Sequence, residues 1–139
     1  MENEEFDIEG RIIKQTEPVT GTIYKYEYET DGSRIVTLMN ENNKSNFKTI
    51  KKQVFVNGEY IDKEVTEFGN VYNFIKKYDN KNQEVYFEQI NLITGKVYKK
   101  KSIWKDGKVY LWKEDYNGEN NIGFYINKNI ITGLTINNI

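Results

Sequence analysis

Hydrophobic and polar residues alternate along much of the chain, and the clearest example lies near the N-terminus. Within Thr22–Thr30, Tyr24, Tyr26 and Tyr28 occupy every second position, and charged residues fill the positions between them. A period of two places alternate side chains on opposite faces of a β-strand. The pattern therefore predicts a strand with one aromatic face and one charged face.

Further segments rich in β-branched and aromatic residues follow, separated by short polar stretches. They are Ser33–Asn40, Phe47–Val56, Glu59–Val65, Val71–Tyr78, Glu84–Ile93, Lys96–Trp104, Lys108–Tyr116, Ile122–Asn127 and Ile130–Ile136. The first part of Val71–Tyr78 also fits a short helix, because Val71, Phe74 and Ile75 could share a helical face. No window sustains a longer helical pattern, so the sequence predicts an all-β protein of about nine strands.

Asx-Gly pairs separate several of these segments and predict hairpin turns. The pairs are Asp31-Gly32, Asn57-Gly58, Asp106-Gly107 and Asn117-Gly118, with Thr94-Gly95 and Thr132-Gly133 as weaker versions. Asn, Asp and Gly tolerate the positive φ of a type I′ turn. In the C-terminal half, the glycines of four of these pairs, at positions 95, 107, 118 and 133, follow one another at intervals of 12, 11 and 15 residues. This spacing is typical of an antiparallel up-and-down meander. So many strands rarely stay flat, so we expect a curled sheet or, preferentially, a closed barrel.

The bulk properties suit one small domain. The chain has 139 residues and a single proline, Pro18, so we expect one β domain over residues 1–139. Residues 1–7 are acidic, and we expect a frayed N-terminal segment there. This segment has no apolar stretch of the kind that secretory signals carry, and no run approaches the roughly 20 apolar residues of a membrane-spanning helix. Together with the lack of cysteine, these features predict a cytoplasmic protein without a membrane partner.

The chemistry of most enzyme classes is missing from this composition. There is no His and no Cys, which removes the usual general base, the thiolate nucleophile and the commonest metal ligands. Phosphate-cradling glycine motifs are absent as well. We therefore expect no enzymatic activity, no cofactor and no metal.

One alternative is glycoside hydrolysis by two carboxylates, and the candidates are Glu27, Glu29, Glu84, Glu88, Glu114 and Asp115. They also fit the solvated face of alternating strands. The loop Asp79–Gln83 fits a solvated turn better than a calcium loop, since it lacks the glycine and terminal Glu of an EF-hand.

The densest basic stretch is Lys99-Lys100-Lys101, with aromatic residues near it at Tyr98 and Trp104. Positive charge interleaved with aromatic rings can bind single-stranded nucleic acid. On a strand, however, Lys100 faces away from Lys99 and Lys101, and the net charge of the chain is −1. Lysines also protect edge strands from pairing with other chains. We therefore favour a solvated or edge role and do not expect a nucleic-acid partner.

A cluster of aromatic residues lies between residues 98 and 125. Its members are Tyr98, Trp104, Tyr110, Trp112, Tyr116, Phe124 and Tyr125. The strand Lys108–Tyr116 is apolar on both faces, although a meander strand needs only one buried face. Its second face is either covered by other parts of the chain or available for binding. Tyrosine and tryptophan are typical anchors of protein interfaces, so we predict Tyr98, Trp104, Tyr110, Trp112, Tyr116 and Lys100 as partner-binding residues.

Three short segments resemble MORN-type repeats of small, antitoxin-like bacterial proteins. They are Trp104-Lys-Asp-Gly107, Asp115-Tyr-Asn-Gly118 and Tyr78-Asp-Asn80, each followed within a few residues by a Val-Tyr or Phe-Tyr step. The resemblance covers Tyr72–Gly133. It implies hairpins repeated at about twenty residues and stacked in a bent sheet, a protein-binding role and no catalytic residues.

Three functional hypotheses follow. The first is a non-catalytic module that binds and inhibits or neutralises another protein, such as an antitoxin, an immunity protein or a phage-encoded inhibitor of bacterial defence; a homodimer is compatible with it. The second is a β-barrel that binds a small ligand or carbohydrate. The third is the carboxylate glycoside hydrolase. The first is favoured, because the chain combines small size, few catalytic residue types and an aromatic surplus.

Overall fold

The chain forms one antiparallel sheet in which every strand lies beside its neighbours in sequence. The computed structural model describes residues 3–40, 46–126 and 129–134. The strands are β1 (Glu4–Phe6), β2 (Ile12–Thr16), β3 (Ile23–Tyr28), β4 (Arg34–Met39), β5 (Asn46–Val56), β6 (Glu59–Gly69), β7 (Tyr72–Tyr78), β8 (Glu84–Asn91), β9 (Val97–Lys105), β10 (Lys108–Tyr116), β11 (Glu119–Ile126) and β12 (Asn129–Leu134). Their order in the sheet is their order in the chain. The predicted all-β meander is confirmed.

The sheet has more strands than the sequence predicts, and it is open. The described residues form twelve strands, because β1 and β2 occupy a region in which no strand was expected. β1 includes Glu4–Phe6 of the acidic segment and pairs with β2. The preferred expectation of a closed barrel is wrong: β1 and β12 stand at opposite ends of the strand order, each beside one described neighbour. The short β1, with two glutamates in its three residues, is the kind of edge that discourages further pairing.

The hairpin turns agree with the Asx-Gly prediction at three of its four sites. Asn57, Asp106 and Asn117 have φ of 51°, 53° and 53°, and a glycine with positive φ follows each, as a type I′ turn requires. Asp31-Gly32 differs. The Glu29 N–H donates to the Ser33 carbonyl oxygen at 2.8 Å, so the loop between β3 and β4 has three residues, and only Gly32 takes a positive φ.

The two weaker turn pairs also depart from a two-residue hairpin. The turn at Thr94-Gly95 is a four-residue loop, closed by a hydrogen bond from the Asn91 N–H to the Lys96 carbonyl oxygen at 2.9 Å. Thr132-Gly133 lies within β12, where the register of β11 and β12 shifts. The expected loop from Asn40 to Asn46 falls largely on residues 41–45, and the end of the expected strand Ile130–Ile136 falls on residues 135–136; both lie outside the described residues.

Continuous pairing gives the sheet two distinct faces. One cross-strand row contains Tyr26, Val36, Lys51, Val65, Lys76, Phe87, Lys100, Glu114 and Asn121; we call its side the aromatic face. The next row contains Ile35, Lys52, Glu64, Lys77, Tyr86, Lys101, Lys113 and Ile122; we call its side the lysine face. Tyr24, Tyr26 and Tyr28 lie together on the aromatic face, which confirms the alternation predicted for β3.

The core is thin because the described sheet is a single layer. Contacts between described strands join consecutive strands alone, so no described strand lies over either face. The buried hydrophobic residues of the described part are Val36, Val65, Trp112 and Ile122. Many other apolar side chains on the strands are half-buried against neighbours on adjacent strands, and several large ones, such as Phe6, Phe55 and Ile103, are exposed. Within the described residues there is no helix long and apolar enough to cross a membrane.

Candidate functional site

Five aromatic rings form a continuous row across four strands of the aromatic face. The row consists of Tyr72 and Phe74 on β7, Phe87 on β8, Tyr98 on β9 and Tyr116 on β10. Successive ring centroids are 6.1, 5.9, 6.0 and 4.5 Å apart, within the range of favourable aromatic pairs. We call these five residues the ring row. Strand register creates most of it: Tyr98 lies directly opposite Tyr116, and the contacts of Phe87 with Phe74 and Tyr98 are diagonal. Tyr72 and Phe74 are two residues apart on the same face of β7.

The two ends of the ring row are accessible to a partner. Tyr72 is 37% exposed and Tyr116 is 52% exposed, whereas the three central rings are half-buried. The row therefore presents a strip of aromatic surface on a sheet face that no described strand covers. A contiguous exposed apolar strip with polar neighbours is a common feature of protein-binding and ligand-binding sites.

Glu114 fixes two aromatic side chains at one end of the row. The Trp112 indole N–H donates to Glu114 Oε1 at 2.9 Å, and the Tyr98 hydroxyl donates to Glu114 Oε2 at 3.3 Å. Lys100 lies directly opposite Glu114, and its Nζ is 5.8 Å from the centre of the Trp112 ring. Burial, followed by the negative charge of Glu114, raises the pKa of Tyr98. The hydroxyl therefore stays protonated and available as a donor to the carboxylate.

Trp112 lies beside the site on the same face and contributes little accessible surface. Its relative exposure is 9%, and its indole lies over Gly123, the residue directly opposite on β11. A Cβ at position 123 would overlap the indole ring. The sequence left open whether the second face of the strand Lys108–Tyr116 is covered or available for binding. Trp112 is buried, whereas Tyr110 and Tyr116 are exposed.

The structure brings four of the six predicted site residues together. Tyr98, Lys100, Trp112 and Tyr116 form one cluster. Trp104 is held apart from it, because its indole N–H donates to the Glu84 carbonyl oxygen at 2.8 Å. Tyr110 is 46% exposed and lies where the β9–β10 register shifts, with Lys105 Nζ 5.4 Å from its ring centre. The side chains of Phe124 and Tyr125 lie outside the described part of the chain.

Sequence reasoning did not select Tyr72, Phe74 and Phe87 as site residues. All three lie on predicted strands, and the alternation within β7 and β8 assigns each to a face. Their alignment in one row with Tyr98 depends on the relative register of β7, β8 and β9, and the register of β7 and β8 shifts near Tyr78. The signal available in the sequence was the spacing of the hairpin turns. This spacing predicts which strands are neighbours, but it does not fix their register to the exact residue.

A groove of about 440 Å³ lies beside the ring row. It is lined by Tyr72, Gln89, Asn91, Lys96, Val97, Tyr98, Tyr116, Asn117 and Glu119. The volume falls within the range of small-molecule sites. Three tyrosines and several amide side chains give it ring faces for stacking and polar groups for hydrogen bonds.

The same face carries a second cluster in its N-terminal half, centred on Arg34. The guanidinium carbon lies 4.9 Å from the Tyr26 ring centre and 3.8 Å from the Tyr60 ring centre. Its Nε donates to Gln53 Oε1 at 2.7 Å, and the Gln53 amide donates to Asp62 Oδ1 at 2.8 Å. Because these groups satisfy one another, we interpret the cluster as structural.

The carboxylates proposed for hydrolysis are distributed over both faces. Glu114 lies on the aromatic face, whereas Glu88 and Asp115 lie on the lysine face, where Lys99 is directly opposite both. Glu88 accepts a hydrogen bond from the Tyr86 hydroxyl at 2.7 Å. In the Asp79 loop, the carboxylate accepts the backbone N–H groups of Lys81 and Gln83. Within the described residues, no three His, Cys, Asp or Glu residues are grouped so that they could hold a metal ion.

Comparisons with protein-family models, curated proteins and solved structures find no match for this chain. The geometry of the site is therefore the main indication of function, because a fold by itself does not determine function.

Proposed function

We propose that this protein is a non-catalytic module that binds another protein through the ring row and the adjoining Lys100–Glu114 pair. The observation that carries the proposal is the continuous strip of five rings on a sheet face that no described strand covers, with Tyr72 and Tyr116 exposed at its ends. Tyrosine contributes a large apolar area and a polar tip at low entropic cost, so it is enriched in interface hot spots.

The surroundings of the ring row support a protein partner. Lys100, Glu114 and Gln89 flank the rings with both charge signs and an amide, which resembles the polar rim of an interface around its apolar centre. Trp112 and Glu114 hold Tyr98 in place before binding. Preorganised aromatic side chains lose little rotamer freedom on association, which favours affinity.

The most specific form of this proposal is that binding inhibits or neutralises the partner. An antitoxin, an immunity protein or a phage-encoded inhibitor of bacterial defence would act in this way in the cytoplasm. Small size, the absence of His and Cys and the resemblance to MORN-type antitoxin-like proteins support it. A homodimer that uses the same face is compatible with the proposal.

The proposal is tested by affinity capture from cells that produce the protein, followed by binding measurements with the captured partner. Tyr116→Ala removes an exposed ring, and we expect it to weaken binding at least about thirtyfold, as for a hot-spot residue. Phe55→Ala is the matched control, because Phe55 is an equally exposed ring at 56% on β5, far along the sheet from the ring row. Circular dichroism checks that both variants fold.

Retention of full affinity in folded Tyr116→Ala, or equal loss in both variants, would contradict a partner site at the ring row. Trp112→Ala is unsuitable for this test, because Trp112 is buried and its removal would destabilise the fold.

A second candidate function, binding of a carbohydrate or another small polar ligand, is favoured by the groove beside Tyr72, Tyr98 and Tyr116. Sugar rings stack on tyrosine, and Gln89 and Asn91 could hydrogen-bond their hydroxyl groups. A glycan array and native mass spectrometry of the purified protein separate the two candidates: a bound glycan that Gln89→Ala abolishes supports the second.

A further inference from the structure

A glutamine lies in the middle of the ring row. Gln89 on β8 is directly opposite both Phe74 on β7 and Tyr98 on β9, and it is half-buried. The same cross-strand row of the aromatic face continues through Tyr116 to Glu119. Within the described part of the chain, no other group forms a hydrogen bond with the Gln89 side chain. An amide with unused donors and an unused acceptor therefore interrupts the aromatic strip.

This glutamine restricts what can cover the strip. An occupant that lies on the rings also removes water from the Gln89 amide, and a buried amide without a hydrogen-bond partner costs free energy. The apolar stripe of a helix offers no such partner, because a helix satisfies its backbone carbonyl groups internally. The occupant must therefore combine apolar surface for the rings with free polar groups at the centre of the strip.

A polyproline II segment has both properties. It has three residues per turn and no internal hydrogen bonds, so its carbonyl oxygens remain available as acceptors between the apolar proline rings. Proline-rich segments in this conformation dock in grooves lined by aromatic side chains. Because the conformation is largely formed before binding, such a segment loses little entropy on association.

The spacing of the rings fits this conformation. Phe74 and Tyr98 lie on alternate strands, and because neighbouring strands are about 4.8 Å apart, the two backbones are about 9.6 Å apart. One turn of polyproline II advances by about 9.3 Å. Side chains three residues apart in such a segment point in the same direction and can therefore contact Phe74 and Tyr98, while a carbonyl group between them accepts a hydrogen bond from Gln89.

The polar lining of the adjoining groove favours a segment without charged residues. Lys96 and Glu119 are the charged residues of this lining, and their opposite charges offset each other. The Asn91 side-chain oxygen accepts the backbone N–H groups of Ile93 and Thr94, so the amide N–H groups of Asn91 remain available as donors. A neutral backbone with free carbonyl oxygens complements this lining.

We propose that the ring row binds a proline-rich segment of the partner in the polyproline II conformation, aligned along the row and across the strands, with Gln89 donating to one of its carbonyl oxygens. The inference rests on the proposed function, since it names the kind of segment that a protein partner presents to the ring row. It also makes Gln89 a specificity-determining residue, because its amide disfavours a uniformly apolar occupant.

The test is fluorescence polarisation of a labelled decaproline peptide titrated with the full chain. Decaproline should bind at least about tenfold more tightly than a glycine–serine peptide of the same length, which has no preformed conformation. Gln89→Met preserves the size of the side chain and removes its hydrogen-bonding groups, so it should weaken decaproline binding about fivefold. Gln15→Met is the matched control and should retain full affinity, because Gln15 is also half-buried and lies opposite Tyr24 on the same face, far from the ring row.

Failure of this inference is distinguishable from failure of the proposed function. The inference is overturned if decaproline binds no better than the glycine–serine peptide. It is also overturned if Gln89→Met binds decaproline as tightly as the wild type or more tightly, since the amide would then contribute no hydrogen bond. In either case, a captured partner whose binding depends on Tyr116 still supports the proposed function. Full affinity of the captured partner for folded Tyr116→Ala would instead contradict both proposals.

Discussion

At the residue scale, the contact between Trp112 and Gly123 controls the geometry of the candidate site. The indole lies over Gly123, and its N–H reaches Glu114, which in turn receives the Tyr98 hydroxyl. We predict that Gly123→Ala forces the indole to move and lowers the free energy of unfolding by about 1–3 kcal/mol, as overpacking does elsewhere. Urea denaturation monitored by tryptophan fluorescence measures this change.

A second substitution shows whether steric overlap is the cause. Trp112→Leu removes the indole, so Gly123→Ala should cost much less stability in the Trp112→Leu background than in the wild type. Circular dichroism replaces fluorescence for that pair of variants. Asn121→Ala, at an exposed position two residues away on β11, controls for the effect of introducing alanine into this strand. Equal costs of Gly123→Ala in both backgrounds would exclude the overlap.

At the element scale, one turn geometry recurs in three hairpins. The loops begin at Asp7, Glu29 and Asp79, and in each the first residue's N–H donates to the carbonyl oxygen four positions later, at 2.9, 2.8 and 2.9 Å. The fourth residue has φ of 84° at Gly10, 90° at Gly32 and 61° at Asn82. Asn82 is thus a non-glycine residue in a position that glycine fills in the other two loops.

This comparison predicts the response of Asn82 to substitution. Asn82→Ala should destabilise the protein by about 1 kcal/mol, because Asn tolerates the left-handed conformation better than Ala does through local hydrogen bonds of its side chain. Asn82→Gly should change stability little, because glycine adopts this φ without steric cost. Chemical denaturation measures both, with Lys81→Ala in the same loop as the control. A smaller cost for Ala than for Gly would show that the φ of Asn82 does not limit this hairpin.

The elements themselves were largely predictable from local chemistry, while their assembly was not. Alternation identified β3, and Asx-Gly pairs located the hairpins at Asn57, Asp106 and Asn117. Short strands without a strong alternating pattern were not predicted; β2, for example, is five residues long. The Asp31 turn was misassigned because Asp-Gly fits both two-residue and three-residue hairpins. The ring row depended on register across several hairpins, and bulges such as that at Tyr110 shift register without a clear sequence signal.

At the scale of the whole molecule, the expected barrel closure rested on a general argument about large sheets, and the described strands do not close. Closure requires long-range pairing of the first and last strands. In the described chain, every contact between strands is between sequence neighbours, as in repeat proteins. The side chains of each inner strand are therefore buried mainly by the two strands beside it. A sheet of this kind need not unfold as one unit, because no contact between described strands joins its two ends.

The two tryptophans allow this prediction to be tested, because Trp104 lies on β9 and Trp112 lies on β10. Fluorescence reports the C-terminal half, whereas circular dichroism reports every strand.

Val36 on β4 is buried, with 4% exposure, and Val36→Ala should lower the local free energy of unfolding by about 2 kcal/mol. We expect this variant to shift the circular-dichroism transition in urea while the fluorescence midpoint stays close to that of the wild type. Ile122→Val, next to β10 on β11, should instead shift the fluorescence midpoint. Identical shifts of both probes in both variants would demonstrate a single cooperative unit, and would require coupling through the sheet that exceeds nearest-neighbour packing.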